Sequence, residues 1–273
     1  MTSRRRPLFS VVVPVFNGEK YLGAAIECVL ALDYAPMEII VINDGSNDAT
    51  VEIIGNYGSR IRTFNQANRG PAAARNLGLK FAQGEIVGFL DADDLWTPHV
   101  ARALDLLIAR PEIAVVQGRV QEIAERPGDA GGKLNQEHSE PYAFINIGSA
   151  VYRKEVFAAV GGFDESMRFC EDYDWFLRAF DARVSKLRID DVTLLYRSHP
   201  GAMTFGKTVH EMSMAKAHKK AIERRRSGAL RPSPSAAFPT LAEYIGSRPA
   251  PRRDLLKDPL ASNRSPAATI DER

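Results

Sequence analysis

The first hundred residues alternate short apolar runs with stretches whose apolar positions fall three and four apart. Phe9-Ser-Val-Val-Val-Pro-Val-Phe16 is a β-branched run and predicts a strand buried on both faces. Pro14 has no N–H to give a ladder, so it marks the strand's end or a bulge. Tyr21, Leu22, Ala25, Ile26 and Val29 then recur at helical spacing. Residues 37–42 predict a second strand, closed by Asn43-Asp44-Gly45-Ser46, and a helix starts near Asp48. Residues 60–65 predict a short outer strand. Gly70-Pro71 opens a helix over 72–83 that Gly84 stops, and 86–90 form the next strand. The order β-α-β-α-β-α-β implies a parallel sheet with right-handed crossovers.

The second half is less regular. A helix is expected over 100–109, strands over 113–117 and 120–124, and a polar, glycine-containing surface loop over 127–140. Residues 154–160 predict a short helix stopped by Gly161-Gly162. Cys170-Glu171-Asp172-Tyr173-Asp174 opens another, with Tyr173, Phe176, Leu177 and Phe180 as its apolar stripe. Residues 184–189 and 192–196 predict two strands ending near Arg197 and His199. Beyond Ser227 the periodicity fades, and seven of the chain's 16 prolines fall there. The domain reading is therefore a folded unit over 1–226, with halves of about 8–98 and 99–226. A tail, 227–273, disordered or ordered only by docking, follows.

Candidate chemistry gathers where strands end. Strand 86–90 runs into Asp91-Ala-Asp93-Asp94, and Asn17-Gly18-Glu19 and Asn43-Asp44 follow two other parallel strands. Parallel strands place all three clusters on one sheet edge, where α/β proteins bind ligands. Clustered carboxylates repel one another unless a cation intervenes, and oxygen ligands suit Mg²⁺ or Mn²⁺ together with substrate phosphates. No glycine-rich dinucleotide turn and no phosphate-loop lysine is present.

Charge narrows the partners. Lys plus Arg number 36 against 34 acids, which carries no nucleic-acid signature. Cys28 and Cys170 match no metal spacing, and Cys28 reads as a core residue. Arg4-Arg5-Arg6 leads into Pro7 rather than into a signal-peptide apolar core, and no run of about 20 apolar residues is present. The chain reads as cytoplasmic. The basic run 218–226 leaves open a peripheral contact with the inner face of a membrane.

Several stretches together carry a family resemblance. They are Val-Val-Pro-Val-Phe-Asn-Gly-Glu-Lys-Tyr-Leu at 12–22, Val-Ile-Asn-Asp-Gly-Ser-Asn-Asp-Ala-Thr at 41–50 and Asn-Arg-Gly-Pro-Ala-Ala-Ala-Arg-Asn-Leu-Gly at 68–78. Phe-Leu-Asp-Ala-Asp-Asp-Leu-Trp at 89–96, Gly-Gly-Phe-Asp-Glu at 161–165, Glu-Asp-Tyr-Asp-Trp at 171–175 and Tyr-Arg-Ser-His at 196–199 follow in order. In this order the chain resembles a family 2 glycosyltransferase of the α/β GT-A fold, with a mainly parallel sheet flanked by helices.

The resemblance implies an inverting, metal-dependent transfer from a nucleotide-sugar donor, UDP-linked, to a saccharide or lipid-linked acceptor in polysaccharide or glycoconjugate synthesis. It implies that Pro14, Phe16, Asn17, Glu19, Asp44, Arg75 and Asp91 line the nucleotide site. Asp93, Asp94 and His199 would hold Mn²⁺ or Mg²⁺, Asp172 would be the base, and Glu171 would orient acceptor or sugar. Phe16 stands where many relatives have Tyr, and Asn43 where Asp is common. Trp96 and Trp175 could stack on a sugar, although packing is the commoner use of such residues. Two other readings stand beside this one. A nucleotidyltransferase would need a basic grip in the first loop, where only Lys20 is near. A scaffold that had lost catalysis would not need Asp93 and Asp172.

Overall fold

The computed structural model describes residues 6–124, 137–203, 205, 214–227 and 238–247. In chain order the elements are β1 (Phe9–Val15), α1 (Leu22–Leu30), β2 (Met37–Asn43), α2 (Thr50–Gly55), β3 (Arg62–Asn65), α3 (Pro71–Phe81), β4 (Ile86–Phe89), β5 (Leu95–Trp96) and α4 (His99–Ala109). There follow β6 (Val115–Ala124), β7 (Glu137–His138), β8 (Ala150–Arg153), α5 (Glu155–Val160), α6 (Glu171–Asp181), β9 (Lys186–Ser198), α7 (Met214–Arg226) and α8 (Leu241–Ile245).

The strands form one sheet in the order β3-β2-β1-β4-β8-β6-β9-β5, with β7 added beside β6. β3, β2, β1 and β4 are parallel, as the alternating pattern implies. β8 runs antiparallel to both β4 and β6, which turns β6 and its parallel neighbour β9 back to the direction of β1. β9 therefore ends on the same edge as β1, β2 and β4. Both faces of the sheet are covered. Val11, Val13, Ile39 and Val41 belong to a core beneath α1 and α4. Val12, Ile40 and Ile42 belong to a second core beneath α3 and α6. This is why these strands are continuously apolar rather than alternating.

Pro14 neither ends nor bulges its strand, which runs on to Val15. The Val12 carbonyl accepts the Leu90 N–H, so residues two apart on β1 face β4. β4 pairs only as far as Val12, so at Pro14 no ladder partner needs an N–H. The strand pairs expected over 113–124 and 184–196 are instead single long strands, β6 and β9, joined through register shifts between Gln117 and Val120. The two-residue β5 carried no pattern of its own. Most of the expected 127–140 loop lies outside the described residues, but its end, Glu137–His138, pairs with β6.

For one segment of the tail, order by docking is what the structure shows. Within 227–273, residues 238–247 pack on the folded unit, with Tyr244 and Ile245 buried. Thr240 and Glu243 form a capping box that starts α8. Ile145 donates its N–H to the Ile245 carbonyl at 3.0 Å, and Ser247 donates to Ala143 at 2.8 Å. Lys186, whose ammonium is pushed down to about 7 by burial, donates to the Tyr244 carbonyl and to Gln117. A segment this short shows little periodicity. Its two buried side chains were legible only once the surface that receives them existed. The rest of the tail lies outside the described residues. A chain ending at Ser227 should melt roughly 5–10 °C lower, the loss expected for two buried side chains net of ordering entropy. An unchanged midpoint in calorimetry would show that the docked segment contributes nothing.

Candidate active site

The acidic turn leaves β4 and is held from β9. Arg197 donates its backbone N–H to Asp94 Oδ1 at 2.8 Å and its Nε to the Asp93 carbonyl at 2.8 Å. Asp94 is only 3% exposed. Burial pushes its carboxyl well above the usual range, with the charges of Asp93 and Asp91 adding to this and Arg197 opposing it. Asp94 therefore ties the turn to β9 and does not join the open carboxylates, contrary to its assignment as a metal ligand. Asp91 and Asp93 do remain partly open, with side chains 36% and 35% exposed.

His199 follows β9 on the edge reached by β4, and its Nε2 lies 3.1 Å from Asp93 Oδ2. The Tyr21 ring lies against the imidazole, centroids 4.6 Å apart. Among the described residues, no three His, Cys, Asp or Glu side chains form a ready metal cage. One carboxylate oxygen and one imidazole nitrogen side by side fit an ion that takes its other ligands from phosphates and water.

Arg75 was expected at the nucleotide. Instead it is buried, with its guanidinium pairing with Asp91 Oδ1 at 2.6 Å and with Glu171 Oε1. It joins the turn after β4 to the N-terminus of α6. Burial pushes the Glu171 carboxyl up to about 7, with Arg75 opposing and Asp172 adding to the rise. Asp172 is half-buried, and its Oδ1 accepts the Tyr173 N–H at 2.7 Å. Burial raises its pKa, the Arg75 charge lowers it, and Asp91 raises it again. Asp172, Glu171 and Asp91 thus share one electrostatic neighbourhood centred on Arg75. Asp174 lies apart from it, buried between Arg178 and Arg224, each at 2.9 Å.

The first two loops hold each other. Asn17 donates its N–H to Ser46 Oγ and accepts from the Asn47 N–H, both at 2.9 Å. Glu19 accepts the Ala49 N–H, and Asp48 accepts the Glu19 N–H, both at 3.0 Å. Asp44 is 4% exposed and accepts from Gln66, Arg69 and Gly70 at 2.7–2.8 Å, fixing the approach to α3. Pro14 is buried in β1. Of the residues assigned to the nucleotide, Phe16 and Asp91 alone keep substantial open surface without a loop-building role, Phe16 being 49% exposed.

Other candidates resolve into packing. Trp96 stacks on Phe9 and donates Nε1 to the Gly148 carbonyl, and Trp175 is fully buried. Cys28 and Cys170 are free thiols, pushed up by burial to about 11 and about 12. Three cations of the basic run 218–226 are paired, while Lys219 and Arg226 stay exposed. Lys220 pairs with Asp164, Arg224 with Asp174 at 2.9 Å, and Arg225 with Asp181 at 2.7 Å. Arg224 and Arg225 thereby hold α7 onto α6, and Lys220 ties α7 to the loop before α6. No described helix is long and apolar enough to cross a membrane. Arg197, Tyr21 and Asn76 escaped the sequence reading. An arginine in a buried strand two residues before a histidine was the available signal for the first.

Residues 10–161 match the Glycosyl transferase family 2 profile, more than half of the chain. The chain belongs to glycosyl transferase family 2. It is 30% identical over 217 residues to the glycosyltransferase EpsJ of Bacillus subtilis, covering 72% of this chain and 63% of EpsJ. The chain thus spans less than two thirds of that relative. The fold is GT-A. It superimposes on S. aureus TarS 1-349 in complex with UDP-GlcNAc with a TM-score of 0.59 at 22% identity, covering 74% of this chain and 61% of TarS 1-349. It also superimposes on the mannosyltransferase PcManGT from Pyrobaculum calidifontis, in complex with GDP-Man and Mn2+, with a TM-score of 0.57 at 18% identity. That match covers 84% of this chain and 66% of PcManGT.

Proposed function

We propose that this family 2 chain transfers a sugar from a nucleoside-diphosphate donor to an acceptor hydroxyl with inversion at the anomeric carbon. The observation that carries the reading is the Arg75 bridge. It gathers Asp91, in the turn after β4, and the α6 carboxylates, Glu171 and Asp172, around one cation. Asp172 takes the proton from the acceptor oxygen as that oxygen bonds to the anomeric carbon. The bond to the diphosphate breaks on the opposite face. One base suffices, because a nucleoside diphosphate leaves as an anion without protonation. Glu171, held by Arg75, orients the acceptor or sugar.

Asp93 and His199 would hold Mn²⁺ or Mg²⁺, which when bound supplies positive charge to the departing diphosphate. Phe16 and Asp91 would face the nucleoside. The likeness to TarS favours a UDP-linked sugar, and the likeness to PcManGT makes GDP the control to run beside it. The acceptor is a saccharide or a lipid-linked saccharide in polysaccharide or glycoconjugate synthesis.

Calorimetric titration with UDP, with and without Mn²⁺, tests the donor and metal assignments together. D93A should abolish the Mn²⁺-dependent part of UDP binding with an unchanged circular dichroism spectrum. H199A should raise the Mn²⁺ midpoint several-fold. UDP affinity unaltered in D93A would sink the metal assignment, and tighter binding of a triphosphate than of UDP would favour a nucleotidyltransferase instead.

A further inference from the structure

Asn76, the residue after Arg75 on α3, reaches across to the loop that precedes α6. Its Oδ1 accepts the Phe163 N–H at 2.8 Å and its Nδ2 donates to the Phe163 carbonyl at 2.9 Å. The same Nδ2 lies 3.0 Å from Glu165 Oε1. The carboxamide thus reads both backbone groups of one residue, as a neighbouring strand would. The approach is close enough to dictate sequence. A Cβ on Gly162 would meet Asn76 Oδ1 at 2.4 Å.

The other side of this loop is held by α6. Trp175 Nε1 donates to the Gly161 carbonyl at 3.0 Å, and Arg178 donates to Val160 at 2.8 Å and Gly162 at 2.7 Å. Phe163 closes the unit, with its ring edge-on to Phe89 at 5.3 Å, two residues before Asp91. The irregular segment 161–163 is therefore a spacer between α3 and α6, with the Gly161 and Gly162 carbonyls taken by α6 and both backbone groups of Phe163 taken by Asn76. Arg75 fixes the first residue of α6 through Glu171, and Asn76 fixes the body of α6 through the spacer.

We propose that Asn76 is a positioning residue for the proposed base. By clamping Phe163 it sets the position of α6 relative to α3, and so where Asp172 stands relative to Asp91. The inference rests on Asp172 acting as the base in the transfer. Misplacing a catalytic group by about 1 Å is worth up to about 10²-fold in rate.

N76D is nearly isosteric and keeps the acceptor for the Phe163 N–H. It sets a carboxylate oxygen against the Phe163 carbonyl and Glu165. N76Q keeps the amide chemistry one methylene too long and serves if N76D folds poorly. Release of UDP from UDP-glucose, UDP-galactose and UDP-N-acetylglucosamine, with a mixture of saccharide and lipid-linked saccharide acceptors present, is measured with wild type and both variants. Turnover is normalised to UDP-binding stoichiometry, which removes any unfolded fraction. The expected result is a kcat lower by about 10- to 100-fold in N76D and less in N76Q, with UDP affinity within twofold of wild type. A normalised kcat within threefold of wild type in both variants would overturn the positioning role and leave the transferase reading intact. UDP affinity falling in step with kcat would overturn it too, since a loosened donor site would then account for the loss. No release by wild type from any donor would overturn the UDP-sugar transferase reading, and the role of Asn76 with it.

Discussion

Asp172→Asn should lower kcat by ~10²–10⁴-fold while UDP affinity stays unchanged, the span typical of a lost acid–base group. The substitution keeps the shape and the acceptor for the Tyr173 N–H but cannot take a proton. An acidic first turn is common in helices for dipole reasons alone, so residue type does not single out Asp172. Its surroundings do. Asp174 is buried between two arginines and Glu171 is paired with Arg75, which leaves Asp172 as the carboxylate of this turn without an arginine ion pair of its own among the described residues. Burial raises its pKa, partly offset by Arg75. A base acts only when ionised. Activity should therefore be present above its folded pKa and be lost as pH falls through it, with the acidic limb above that of an ordinary aspartate. Turnover beside UDP titration on one sample checks both points. Near wild-type turnover in D172N would remove Asp172 from the mechanism.

Arg75→Met should destabilise the fold by about 3–5 kcal/mol, because it leaves Glu171 buried without its counter-ion and frees Asp91. The loss should depend on pH in one direction. Glu171 already has a folded pKa of about 7, raised by burial against the opposition of Arg75, and removing Arg75 raises it further. A carboxyl whose pKa is higher folded than unfolded leaves stability intact below its unfolded value. It erodes stability as pH rises toward the folded value. Denaturant unfolding of R75M should therefore show the smallest deficit near pH 4.5 and a growing one toward pH 8. The double variant R75M/E171Q, which also removes the acid, should recover part of the deficit at pH 8. A deficit independent of pH, with no recovery, would show that Arg75 acts by packing alone.

Both predictions turn on pairings across long separations, and these separate what was legible in the sequence from what was not. The β-branched runs at 9–16 and 37–42 admit little but strands buried on both faces. Pro71 and the helical spacing after it set α3, and Asp91-Ala-Asp93-Asp94 had to follow a strand. Such features depend on local sterics and period, so the sequence determines the parallel half, the edge on which its polar loops meet, and the family. The roles of individual polar residues do not follow from local pattern, because a carboxylate's task depends on what lies opposite it. Asp94 and Asp93 are neighbours in one turn. The return of β9 in the direction of β1 brings the Arg197 N–H to the first and His199 to the second. Arg75 carries its charge wherever it lies, but only the docking of α6 makes it a bridge between two carboxylates. Residues 238–247 read as tail because five helical residues hold too little apolar surface to announce a fold. A preformed surface of α6, β9 and residues 143–145 gives that surface a place to be buried.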